Sequence, residues 1–300
     1  MQHNPVKFES LLDRMNEPVR KLRKFLKKAP KRPAPEEVHD LRTSALHVET
    51  VLEALRLNSR GNEKRLWRDL ARVRRCAGKV RDMDVLTGYA ATVHGDGEQE
   101  CLVQLLEDLG ARHRKQARRL HRLVLRYGPA LRRRLKRSDA RVKRVLKVNR
   151  QSTKSGAPSE VTARELQLTA KLKTPRHLDR RTLHPYRLKV KELRYVLQLA
   201  DRADQQRFVV KLGEVKDVIG EWHDWETLVT IAKKLLNHGR HCKLLRVLRA
   251  IGDDKYQSAL ALTNEMRRAY LSQESKPSCV GKSPSPKYSA SSIRSGPTTF

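Results

Sequence analysis

The sequence has little with which to cross-link, to stack or to span a membrane. Its four cysteines, Cys76, Cys101, Cys242 and Cys279, lie far apart and form no CxxC pair. That argues against a disulfide framework or a cysteine-based zinc site and fits a reducing compartment. Aromatic residues make up 5% of the chain, few for the stacking platforms that single-stranded nucleic acid rewards. No apolar run approaches the roughly 18 residues a membrane span requires, and the opening MQHNPVKFES has no signal-peptide core. The expectation is a soluble cytoplasmic protein without a membrane partner. Acid is also scarce: 33 Asp and Glu stand against 66 Lys and Arg, a formal charge of +33. Such a chain repels itself unless something negative sits on it, so a polyanion is the first partner to consider.

What is present is helical periodicity. Nearly every segment longer than a dozen residues reads with a helical period, and β-branched alternation is missing, so the expected fold class is all-α. KKAPKRPAPEE (27–37) breaks the chain, and Pro35, Glu36 and Glu37 then open a helix with a proline and acids where the dipole favours them. A polar linker, 149–160, falls near the midpoint, and a Ser/Pro/Lys-rich tail, 273–300, is expected to be disordered.

The linker separates two copies of one plan. VHDLRTSALHVETVLEAL (38–55) aligns with LHPYRLKVKELRYVLQLA (183–200), matching His39 with His184 and Arg42 with Arg187. LARVRRCAGKVRDMDVL (70–86) aligns with LGEVKDVIGEWHDWETL (212–228), matching Arg74 with Lys216, Gly78 with Gly220, Arg81 with His223 and Asp82 with Asp224. The first repeat covers about 5–148 and the second about 161–272. Two halves of similar plan follow, packed about a pseudo-twofold axis.

In the second copy, His184, Arg187, Lys191 and Arg194 recur at steps of three, four and three, which places them on one side of a helix. One flank carries the core stripe Leu183, Tyr186, Val190, Leu193 and Leu197; the other carries Leu188, Tyr195 and Leu199. Cations bracketed by apolar residues suit the lip of a groove between helices. Lys216 and His223 share a face, and Gly220 between them permits either close helix packing or close approach of an anion. In ARHRKQARRLHRLVLRYG (111–128), Arg112, Lys115, Arg119, Arg122 and Arg126 form a further basic stripe beside an apolar seam. Trp222 and Trp225 read as core anchors. Asp82 and Asp224 read as acids that orient neighbouring cations. The dipeptides His39-Asp40 and His223-Asp224 are too short a signal for a metal-dependent phosphohydrolase.

At these residues the sequence resembles the CHAD family of histidine-containing α-helical domains. LHPYRLKVKELRYVL carries the likeness best, joined by VHDLR at 38–42 and the turns GKVRDMDVL and GEWHDWETL. The resemblance extends over about 5–272. It implies paired helical bundles whose basic groove or pore binds inorganic polyphosphate. By position, the implied ligands are His39, Arg42, Arg74, Lys79 and Arg81 in the first repeat. In the second they are His184, Arg187, Lys191, Arg194, Lys216 and His223. The first repeat departs from the pattern at Leu46 and His47, and Glu49 stands where the second has Arg194; the stripe with Arg119, Arg122 and Arg126 is the candidate to compensate.

Binding of this kind needs charge-assisted hydrogen bonds on rigid helices, with no cofactor, metal or catalysis. Protonation of His39, His184 and His223 would add charge as pH falls through about 6.5. The resemblance also implies recruitment to polyphosphate granules or to polyphosphate-metabolising enzymes. Nucleic acid is the alternative polyanion and the expected weaker competitor. No Glu-x-Glu-x-Lys strand of the triphosphatase type accompanies the helices.

Overall fold

The computed structural model of the chain describes residues 8–54, 57, 61–93, 99–151, 157–200, 203–236 and 242–272. It is all-α: no strand occurs among the described residues. The first half holds α1 (Phe8–Lys28), α2 (Pro35–Ala54), α3 (Gly61–Thr92) and α4 (Gln99–Gln151). The second holds α5 (Ala157–Lys173), α6 (Leu183–Ala200), α7 (Gln206–Leu235) and α8 (Lys243–Tyr270). In each half, two shorter helices precede two longer ones, the order expected from a repeated sequence. Residues 5–7, the tail 273–300 and Cys279 lie outside the described residues.

Local signals place the ends. At α2 the Glu37 carboxylate accepts the Ala34 backbone N–H at 3.1 Å, reaching back one turn as the third residue of a capping box does. α4 runs much further than the stripe at 111–128. It passes through Gly128 and Pro129 because its apolar period continues, with Leu131, Leu135 and Val142 buried in the first core. Gly128 is required where α4 crosses the end of α1, since a Cβ there would stand 3.1 Å from the Leu26 carbonyl oxygen. The midpoint linker narrows accordingly, for α4 continues to Gln151 and α5 begins at Ala157.

Three apolar cores organise the helices. The first gathers α1, α2, the beginning of α3 and the latter part of α4, as in Leu22, Leu41, Leu70 and Leu131. The second gathers α5, α6, the beginning of α7 and the end of α8, as in Leu172, Val190, Ile219 and Met266. The third joins the halves: the end of α3 (Leu86, Ala90) and the beginning of α4 (Leu105, Leu109) meet the end of α7 (Leu228) and the beginning of α8 (Leu248). Trp222 and Trp225 are both buried, as the sequence suggests, yet in different cores. Trp222 belongs to the second, while Trp225 reaches the third and stacks on Tyr89 of α3 with ring centroids 4.9 Å apart.

Ion pairs fasten α3 to α4 below the first core. The buried Asp69 carboxylate accepts from Arg134, and buried Glu63 accepts from Arg141 at 3.1 Å and from the Ser138 hydroxyl. No helix among the described residues is long and apolar enough to cross a membrane.

Trp225→Ala removes the ring that ties α7 to α3. The expected loss is about 3–5 kcal/mol of stability, read as a lower urea midpoint. An unchanged midpoint would mean that the third core does not hold the halves together.

Candidate functional site

α6 starts from a tight reciprocal cap. The Asp179 carboxylate accepts the Thr182 backbone N–H at 2.8 Å, and the Thr182 hydroxyl accepts the Asp179 N–H at 2.8 Å. The Thr182 hydroxyl, 2.7 Å from the same carboxylate, and then the Thr182 N–H hold the Asp179 carboxyl below its ordinary range. Pro185 follows in the first turn, where its missing N–H costs nothing. The helix then buries Leu183, Tyr186, Val190, Leu193 and Leu197 in the second core, as the stripe predicts. On the other flank Leu188 is 54% exposed, so the groove is less enclosed on that side than its apolar sequence suggests.

The cationic face of α6 lies antiparallel against α7, and the two helices match step for step. The His184 ring rests on the His223 ring, centroids 3.9 Å apart. Arg187 crosses Gly220, where a Cβ would stand 2.6 Å from its Nη2, and its Nε donates to the Lys216 carbonyl oxygen at 2.9 Å. Lys191 faces Lys216, whose charge bears on it. Arg194 crosses Gly213, where a Cβ would stand 3.3 Å from its Nε. Steps of three, four and three along α6 therefore meet the same steps backward along α7. Gly213 and Gly220 are notches that seat two guanidinium groups.

The first half closes over this cradle. Burial and then the charges of Arg42, Arg187, Arg74 and Lys216 push the Lys191 ammonium down to about 8. Four helices thus contribute cations around one lysine. Arg42 on α2 stands 3.9 Å from Asp82 on α3, which fits the orienting role expected of that acid. Asp224 is raised to about 6, first by burial and secondarily by Asp82, against the lowering charges of Arg187, Arg42 and Arg81.

The histidines behave differently from the expectation. Burial, then the neighbouring His184 ring, then Arg187 push His223 down to about 4, and burial with Arg187 also lowers His184. The His223 imidazole is therefore neutral at pH 6.5, and protonation of His184 is displaced below its ordinary range. His39 is exposed on α2, and the ring against His184 comes from α7 of its own half. In the same cluster burial holds the Asp224 carboxyl up to about 6.

The halves are not equivalent in detail. Glu49, buried on α2 at the position of Arg194, accepts Arg74 Nε at 2.9 and 3.0 Å and its Nη2 at 2.9 Å. Arg74 lends its charge to Lys191 but spends its donors internally. Leu46 stands at the position of Lys191, and the notch at Gly78 is open, with nothing within 4 Å of a Cβ there. Lys216 likewise carries a partner, Asp217. On α4 the stripe forms a groove lined by Lys115, Arg119, Arg122, Leu123 and Arg126. A neighbouring hollow lined by Lys79, Asp82 and Arg112 shares Lys115 and Gln116 with it.

The structure thus draws together Arg42, Arg74, Arg81, His184, Arg187, Lys191, Lys216 and His223. It sets Arg194 at one end of the cradle and places Lys79, Arg119, Arg122 and Arg126 along the groove. Gly213 was missed by sequence reasoning; its signal is its place seven residues before Gly220, two turns away on the same face. Among the described residues no group of three or more His, Cys, Asp or Glu stands close enough to hold a metal.

Fold and site together define a basic, all-helical domain with its cations gathered where the two halves meet. The sequence model of the CHAD domain matches residues 14–233, and the chain belongs to that family. α8 lies beyond the matched residues and still completes the second and third cores. Comparison with curated proteins and with solved structures finds no match.

Two outcomes follow from the charges. Because folding lowers the Lys191 pKa, the unfolded chain holds a proton that the folded chain has lost between about pH 8 and the ordinary lysine range, so this group's contribution to stability rises with pH there. Lys191→Leu, which copies Leu46 of the first repeat, is expected to raise Tm at pH 7 by roughly 2–4 °C; a lower Tm in calorimetry would show that the lysine is not repelled. Asp224 has the opposite sign, since its raised pKa gives stability at low pH that is lost as pH rises through about 6. Neutralising it also removes one negative charge, so anion affinity is expected to increase up to about tenfold as pH falls through 6. Asp224→Asn flattens that step, and a step that survived in this variant would assign it to another group.

Proposed function

We propose that this protein binds inorganic polyphosphate in the cradle between α6 and α7, without turning it over. The observation that carries this reading is the pair of guanidinium groups seated over Gly220 and Gly213. Among the described residues, Arg187 has a backbone carbonyl as its one hydrogen-bond acceptor, and Arg194 Nε is buried without one. No carboxylate pairs with Lys191 or Arg194 among the described residues. Guanidinium groups fixed on rigid helices with donors to spare are suited to phosphate oxygens. Bringing so many cations together is unfavourable until an anion arrives, and bound polyanion relieves that repulsion.

The choice among polyanions rests on shape and on where the aromatic residues sit. Tyr89 and Trp225 stack on each other in the third core, Trp222 and Tyr186 are buried in the second, and Tyr195 is only half-exposed. Bases would find few platforms. The cations lie recessed between four helices, where a flexible chain without bases reaches them more easily than a stiff duplex. Membership of the CHAD family supports the same ligand, through the polyphosphate binding that the resemblance implies. Targeting to polyphosphate granules, or to enzymes that make or degrade the polymer, is the corresponding cellular role.

A competition titration at physiological salt tests the reading, with labelled long-chain polyphosphate displaced by unlabelled polyphosphate or by duplex DNA of equal total charge. Poor competition by DNA is expected. Equal competition would make the protein a general polyanion or nucleic-acid binder. Replacing Arg187, Lys191 and Arg194 with Ala is expected to weaken polyphosphate binding by about a hundredfold or more, since each charged hydrogen bond contributes roughly 1.5–3 kcal/mol. Replacing Lys276, Lys282 and Lys287 of the tail should have little effect, and equal losses would assign binding to net charge. Phosphate release on adding divalent metal would overturn the non-enzymatic part.

A further inference from the structure

The two halves share one plan but not one charge pattern, and the difference decides where a long polyanion can go once it leaves the cradle. The symmetric route over α2 is closed. Leu46 replaces the lysine, Glu49 replaces the arginine and holds Arg74, and no side chain occupies the Gly78 notch. A phosphate chain continuing that way would meet an apolar residue and a buried carboxylate.

Another route is open. Asp82 stands where the cradle and the α3–α4 hollow meet: it pairs with Arg42, feels the charge of Arg187, and lines the hollow together with Lys79 and Lys115. From there the hollow continues through Lys115 and Gln116 into the groove of Arg119, Arg122 and Arg126. Arg112 is held by Asp108 at 2.6 Å and offers the least. Lys115, Arg119 and Arg122 have no carboxylate within ion-pairing distance among the described residues, and neither does Arg126, which lies over the Tyr127 ring. At 1.5 Å per residue the fourteen steps from Arg112 to Arg126 extend the cationic surface by about 21 Å. Leu120 and Val124 anchor this stretch of α4 in the first core, so the arginines project from a rigid support.

We propose that the α4 groove is a second segment of the polyanion track, which makes the protein selective for long chains over short ones. The inference rests on the proposed polyphosphate binding at the cradle and adds to it a path and a length requirement. A short oligophosphate occupies the cradle only. A long chain held there presents its continuation to the groove at high effective concentration, so two modest contacts combine into an affinity that can exceed either by 10²–10⁴. The track is one-sided, leaving through the first half along α4 rather than along α2.

The test compares tripolyphosphate with long-chain polyphosphate on the full chain, by titration at physiological ionic strength. Arg119→Ala, Arg122→Ala and Arg126→Ala are combined in one variant. Arg133→Ala, Lys136→Ala and Arg137→Ala, exposed on the same helix, make an equally charged control. The groove variant is expected to lose tenfold or more in affinity for the long chain, with less than twofold change for tripolyphosphate, while the control binds both like the parent. Equal losses for both lengths, an unchanged long-chain affinity, or an equal effect of the control each overturn the proposal. If the parent binds the long chain no more tightly than it binds tripolyphosphate, the cradle reading survives and the track fails. If it binds neither, both fall together. Unchanged Tm and helical circular dichroism confirm that a loss comes from the groove and not from unfolding.

Discussion

Like charges crowd around Lys191, and most of the architecture is the consequence of holding them there. Arg42, Arg74, Arg187 and Lys216 come from four different helices, and together with burial they depress the ammonium pKa to about 8. Nothing in that arrangement favours folding. It persists because the three apolar cores surround it, with the second beneath α6 and α7 and the third clamping the long helices of the two halves. A single helix carrying the same cations would relax outward into water. Here the side chains are packed against a neighbour whose glycines leave room for them, so the charge density is built into the resting protein.

The glycines explain how guanidinium groups and close helix packing coexist. A Cβ on Gly220 would fall within 2.6 Å of Arg187, and one on Gly213 within 3.3 Å of Arg194. The arginines must swing away or the helices must part if either position gains a side chain. Two imidazoles in tilted contact close the same seam at its other end, and burial disfavours charge on both rings. Within the seam the histidine rings pack on each other, the arginines lie over the glycines, and burial raises the Asp224 carboxyl to about 6.

The first half shows what the same scaffold becomes when cations of the second are exchanged for apolar and acidic residues. Glu49 with Arg74, Asp69 with Arg134 and Glu63 with Arg141 turn cations inward and fix α2, α3 and α4 to one another. Removing one of these arginines leaves a buried carboxylate without its partner, which is destabilising, so these arginines serve the fold. Among the described residues, Lys115, Arg119, Arg122 and Arg126 of α4 line a groove and have no carboxylate within ion-pairing distance. The total of 66 Lys and Arg therefore overstates the site, because a share of them serves as internal fasteners.

Helical period, the breaks at 27–37 and near 150, the repeat, the core stripe of α6 and the cationic face beside it were all legible in the chain, because each depends on spacing within one helix or on local capping. Pro35 with Glu37 marks a helix start for the same local reason. What needed the tertiary structure were relations between helices: the antiparallel register that sets Arg194 on Gly213, and the capture of Arg74 by Glu49. So did the burial that silences His223 while raising Asp224, and the third core that separates Trp225 from Trp222. Periodicity states which side of a helix a residue occupies, but the neighbour on that side comes from a distant part of the chain. A side chain's charge state and its freedom to bind are set by that neighbour, so the sequence by itself determined the candidates and only the packed structure decided their roles.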